Sequence, residues 1–224
     1  VVSWTHLADA YPPTERTSAM MKRFASMALA IALVATLVPM AAAFATTPQA
    51  AANQDTLTIS GTGSMPDYSM KYANTTDYTW ISTAPWAAHA DRIQRLVMEE
   101  GVTSASKYAF CGLTALTAVT LPDSLSTIGW GAFEDCSGLT GITIPSGVTA
   151  IGYSAFEDCT GLTSITLPDS VTSLDSSVFW GCSSLTSVTL PTGLTSISGY
   201  LFIRCTSLSL IHISEPTRPL YISY

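Results

Sequence analysis

The chain has 224 residues, of which 47% are hydrophobic, so a sizeable core is within reach. Only 11% are charged, well under the roughly 25% of an average soluble domain. The net charge of −7 gives no electrostatic basis for binding nucleic acid or an anionic membrane.

The chain opens with Val1–Ala19, ahead of the first plausible starts, Met20 and Met21. Residues 1–20 are therefore expected to be upstream sequence rather than native protein. From Met21, Lys22 and Arg23 form a short basic region, Phe24–Val38 is apolar, and beyond Pro39 the small residues Ala43 and Ala45 sit at −3 and −1 of a cleavage site before Thr46. That layout predicts a secretory signal peptide over 21–45. The competing reading is an uncleaved anchor, since Phe24–Ala45 is just long enough to span a bilayer. The proline and the A-x-A site favour cleavage.

Residues 46–92 read as a linker and an N-terminal cap. Thr46–Asn53 is rich in small residues, Thr56–Ser60 alternates like a strand, and Gly61, Gly63 and Pro66 mark a turn. Pro85–Arg92 is a candidate short helix with proline near its start. This segment, with Trp80 and Trp86, is placed to cover the first hydrophobic rung of a repeat array that begins at Ile93.

The array covers residues 93–207. Phe110, Phe133, Phe156, Phe179 and Phe202 are 23 apart, as are Pro122, Pro145, Pro168 and Pro191. In the same register run Leu116, Leu139, Leu162 and Leu185, with Val119, Ile142, Ile165 and Val188 three positions later. Ile93, Leu96 and Met98 carry the pattern one unit back, with Glu99 in place of proline and the small Ala105 where later units have Ile or Leu. Five units thus begin at 93, 116, 139, 162 and 185.

The spacing L-x-x-I-x-L puts Ile165 and Leu167 on one side of a strand, with Ser164 and Thr166 on the other. Proline has no N–H to offer a ladder and ends each strand. One unit cannot bury its apolar row alone, but stacked units form a continuous core with parallel strands about 4.8 Å apart. The predicted fold is a repeat solenoid.

The strings LTSITLPDSVTSL (162–174), AFEDCSGLTGITIPSGVTAIG (132–152) and AFEDCTGLTSITLP (155–168) resemble the BspA-like leucine-rich repeats of bacterial surface proteins. The resemblance spans Ile93–Ser207. It implies a leucine-rich-repeat horseshoe with a parallel sheet on the concave face, and a secreted or cell-surface location. It also implies adhesion or host interaction, which several members of the family perform.

Past Ser207 the sequence reads LSLIHISEPTRPLYISY, with Ser214 where proline is due. The pattern is read as failing here, and the string resembles the in-frame translation of a transposase-type sequencing adapter. Residues 208–224 are therefore expected to be adapter-derived, and the natural chain to continue with another unit. His212, Glu215 and Arg218 carry no functional weight on this reading.

Catalytic spacing is absent. His89 is the only histidine in 46–207, and it has no nucleophile motif beside it, only Asp91 two residues on. Gly61–Ser64 is too short for a nucleotide loop and reads as a turn. The chain is accordingly not expected to be an enzyme, and no cofactor or metal is expected. Cys136, Cys159, Cys182 and Cys205 lie three residues after their phenylalanines, Cys111 only one. A buried thiol ladder is the favoured reading, with inter-coil disulfides or a metal as alternatives. Glu134–Asp135 and Glu157–Asp158, with Asp175, read as a solvated acidic edge or, less commonly, calcium ligands.

Two surfaces are candidates for binding. The concave face presents Thr120, Thr143, Ser164, Thr166, Ser187 and Thr189 as an ungapped hydroxyl ladder beside Ala118 and Gly141. The far face carries Trp130 and Tyr153 one coil apart, and Trp180. The expected function is an extracellular binding scaffold, its partner a protein or glycan, with no nucleic acid and no membrane contact after signal cleavage. The alternatives are an accessory domain of a larger surface enzyme and a purely structural array.

Overall fold

The computed structural model describes residues 49–53, 55–72, 80–194, 196–213 and 221–222. The expected upstream sequence (1–20), the signal peptide (21–45) and residues 214–220 of the tail lie outside them. Among the described residues no helix is long and apolar enough to cross a membrane.

Each repeat contributes one short segment to each of several walls. On the first wall, β1 (Gln49–Asn53), β2 (Thr56–Ser60), β6 (Arg95–Met98) and β8 (Ala118–Thr120) form one sheet. Further along the same wall β11 (Ser164–Thr166), β13 (Ser187–Leu190) and β15 (Leu210–Ile213) form another. All pairs are parallel except β1–β2, which closes the N-terminal edge antiparallel. Each proline then accepts a turn bond through its carbonyl, as from Val148 N to Pro145 O at 3.1 Å and from Val171 N to Pro168 O at 3.0 Å.

The second wall is a five-stranded parallel sheet of β3 (Gly63–Ser64), β7 (Val102–Ala105), β9 (Thr127–Ile128), β10 (Ala150–Ile151) and β12 (Ser173–Leu174). A separate pair, β14 (Ser196–Ile197) and β16 (Tyr221–Ile222), is parallel as well. The returning wall bonds coil to coil without strand geometry, as from Phe133 N to Ala155 O at 2.9 Å and from Phe156 N to Val178 O at 2.9 Å. It turns through two left-handed residues per coil, Tyr108, Gly131, Ser154, Ser177 and Tyr200 in one row and Gly112, Asp135, Asp158, Gly181 and Arg204 in the other.

The phenylalanines stack through the centre. Consecutive rings from Phe110 to Phe202 lie 5.2, 5.4, 5.9 and 5.8 Å apart, the last three pairs with nearly parallel planes. Trp86 continues the column at 5.9 Å from Phe110 and donates its indole N–H to Ala109 O at 2.7 Å. Tyr68 meets Trp86 edge-on, closing the end of the stack.

The cap holds a hidden rung. Leu57 pairs with Leu96 and Ile59 with Met98, and both cap residues are fully buried. The hairpin β4 (Met70–Tyr72) and β5 (Trp80–Ser82) sits inside this coil and stretches the period past recognition. The expected helix is a single 3₁₀ turn over Ala87–His89, with Trp86 O accepting from His89 N at 2.9 Å.

Two sequence expectations need correction. The register does not fail at Ser207: Ser187 aligns with Leu210 and Leu190 with Ile213, because Leu208, Ile211 and Ile213 still supply the apolar spacing. Nor is the hydroxyl face ungapped. The unit beginning at Leu139 forms no strand on the first wall, so Thr143 stands in a break between the two sheets of that wall.

Candidate binding surfaces

The break follows from Gly141. The other units place Arg95, Ala118, Ser164, Ser187 and Leu210 there, and glycine alone has no side chain to pack on a pleated surface. Among the described residues, no backbone hydrogen bond involves Gly141, Ile142, Thr143 or Ile144. The apolar row opens with it. Ile165 and Val188 are buried, whereas Val119 and Ile142 at the same repeat position are only half-buried.

The result is an open groove of about 590 Å³ on the strand face, lined by Ala118, Gly141, Thr143, Ser164 and Thr166 among others. No charged side chain lines it. Thr120, Thr143, Ser164 and Thr166 are exposed, while Ser187 and Thr189 are half-buried beside Leu210 and His212 of β15. The structure thus gathers three of the predicted ladder residues, Thr143, Ser164 and Thr166, around one groove. Thr120 is exposed on the neighbouring strand, and Ser187 and Thr189 lie beyond it.

A second hydroxyl row escapes simple pattern reading. Thr163, Thr186 and Ser209 each donate to the carbonyl 23 residues earlier, at 3.1, 2.9 and 3.3 Å. These hydroxyls stitch coils together and are spent on structure. The signal was present in sequence, since Thr117, Thr140, Thr163 and Thr186 recur with the period.

On the opposite side Trp130 and Tyr153 are 44% and 42% exposed, with ring centroids 5.2 Å apart and planes at 78°. Tyr108 continues the strip at 6.3 Å, and the Lys107 ammonium sits 4.2 Å from the Trp130 ring centroid. Trp180 is half-buried against Tyr200 instead.

The cysteines are free thiols, four buried and Cys205 partly so. Cys136, Cys159, Cys182 and Cys205 donate to the carbonyls of Phe110, Phe133, Phe156 and Phe179 at 3.0–3.2 Å. Burial pushes every one of these thiols up, Cys205 to about 11, so they stay protonated and unreactive. Cys111, displaced in sequence, meets the Met70 sulfur at 3.7 Å instead.

Burial, and then the neighbouring Glu157, push the Glu134 carboxyl up to about 7. Among the described residues, Cys111, Glu134 and Asp135 bring ligand atoms within 4.8 Å of one another, and Asp175 is not part of that group. His89 is exposed, and no hydrogen bond joins its ring to a serine, cysteine or carboxylate among the described residues.

A family model described as BspA type leucine-rich repeat region matches residues 88–221 in six copies. The chain belongs to this family. The sixth copy agrees with the extra rung at β15. No curated protein matches.

Among solved structures, this BspA-type chain is similar to a leucine-rich-repeat protein of T. pallidum, at 27% identity and a TM-score of 0.59, over 78% of this chain and 83% of that one. It is also similar to a leucine-rich cell surface protein of Faecalibacterium prausnitzii, at 28% identity and a TM-score of 0.55, covering 68% of this chain and 41% of that one. A leucine-rich-repeat protein of Bacteroides ovatus shares the fold at 23% identity and a TM-score of 0.51, over 80% and 53% of the two chains.

Proposed function

We propose that the chain is a cell-surface or secreted binding scaffold that holds an extracellular protein or glycan on its strand face without transforming it. The observation that carries this reading is the neutral groove at Gly141, where exposed hydroxyls meet a row of backbone groups with no partner among the described residues. Such groups suit an extended, uncharged ligand that supplies both donors and acceptors. The cell-surface description of the F. prausnitzii relative supports the location.

The test is to screen the secreted chain against immobilised matrix proteins, mucins and glycans, with Thr143→Lys and Thr166→Lys as variants. Both residues point away from the core, so folding should persist. Binding should fall at least tenfold, as truncating a central interface residue commonly does. A partner whose affinity is unchanged by both substitutions removes the strand face from the reading, and no partner at all removes the scaffold.

A further inference from the structure

The second large hollow lies on the second wall, where the cap meets the first repeats. Ser64, Asp67, Ser104, Lys107, Thr127 and Trp130 are among the residues lining about 530 Å³. That volume is within the usual range for a small-molecule pocket, roughly 300–1,000 Å³. The walls are held firmly. Tyr68 N donates to Lys107 O at 2.9 Å, Lys107 N to Asp67 Oδ1 at 3.1 Å, and Ser106 Oγ to Met65 O at 2.6 Å.

The fold leaves the indole and the ammonium of this hollow without polar partners among the described residues. Trp86 is buried with its indole N–H bonded, but Trp130 is 44% exposed and its N–H has no partner among the described residues. The Lys107 ammonium has no carboxylate partner among them either and lies over the Trp130 ring. An exposed indole, an unpaired ammonium and a carboxylate therefore converge on one hollow.

Charge decides the occupant. Glu134, Asp135, Glu157 and Asp158 lie on the adjoining wall, which disfavours a polyanion. A quaternary ammonium would seek the aromatic face, but the Lys107 ammonium beside that ring repels a second cation. Asp67 and Lys107 balance each other inside the hollow. The occupant that suits all these groups is an uncharged ring with one apolar face and hydroxyls at its rim.

We propose that this pocket binds a neutral hexose residue of a glycan, with the sugar's C–H face taking the place of the Lys107 ammonium on the Trp130 ring. The Asp67 carboxylate accepts from its hydroxyls, and Lys107 and the Trp130 N–H donate to its oxygens. Tyr153, one coil on, extends the aromatic strip for a second sugar. This site is separate from the strand-face groove, so either can fail without the other.

The full chain is titrated with neutral tetrasaccharides of glucose, mannose and galactose, read by tryptophan fluorescence and saturation-transfer NMR. At least one tetrasaccharide should bind, with sugar C–H protons saturated. Trp130→Ala should weaken binding tenfold or more and Lys107→Met severalfold, while Trp130→Phe keeps most of it. Ser184→Lys, at an exposed residue that lines neither hollow, should change nothing. Absence of binding to every neutral tetrasaccharide at millimolar concentration overturns the proposal. So does binding that survives Trp130→Ala, preference for a sulfated or uronic saccharide, or displacement by tetramethylammonium.

Discussion

Gly141→Ala is the substitution that most directly probes why the strand face opens. One coil earlier, Ala118 occupies the same repeat position inside β8. A Cβ built on Gly141 has nothing within 4 Å, and Gly141 is not among the glycines at positive φ. Alanine therefore meets neither a clash nor a backbone penalty. The gain comes from the unfolded state, where alanine has less freedom to lose, and amounts to about 0.5–1 kcal/mol. For a domain of this size that corresponds to a rise in Tm of about 1–4 °C.

Differential scanning calorimetry and urea titration give the stability change, and amide exchange at Val119 and Ile142 reports whether the ladder closes. Slower exchange at both, with a higher Tm, is the expected result. A partner held in the groove should then bind less well, since backbone groups it uses become committed to the sheet. A lower Tm would refute the reasoning, because it would mean that glycine is required by the local conformation and is not the cause of the break.

Two further outcomes concern the core and the acidic wall. Phe156→Ala should cost about 3–5 kcal/mol in urea unfolding, since its ring is fully buried between Phe133 and Phe179, whereas Phe202→Ala at the half-buried end of the stack should cost well under half as much; equal costs would deny that the ring column is continuous. Glu134 binds its proton more tightly folded, at about 7, than at its ordinary 4.5, so stability is fully present below about pH 4.5 and declines as pH rises through 7. Its partial exposure reduces the expected loss to about 1 kcal/mol. Urea midpoints measured at both ends of that range should differ in the wild type, and the difference should narrow in Glu134→Gln, where the raised Asp135 and Glu157 remain.

The solenoid is legible in the sequence because its core positions recur every 23 residues and each has one physical task. Proline closes a strand, phenylalanine fills the column, and cysteine reaches a carbonyl of the preceding coil. The cap rung is hidden for an equally physical reason. Leu57 and Leu96 pair across 39 residues, because the β4–β5 hairpin is accommodated within that coil, and Trp86 replaces phenylalanine at the head of the ring column. A period search sees neither, although the alternation of Leu57 and Ile59 marks the strand itself.

The candidate sites are less legible because they arise where the repeat departs from itself. Thr143 and Thr166 can be read as outward-facing from strand parity, but the groove between them depends on Gly141 failing to pair, which parity does not report. Trp130 stands out as an aromatic, yet its pocket needs Asp67 and Lys107, brought together by a hydrogen bond across 40 residues of chain. Periodic positions are committed to the core and cannot vary without cost, so a binding surface has to be written in the exceptions. Gly141 on one wall and Lys107–Trp130 on another are two such exceptions, and each leaves polar groups unspent by the fold.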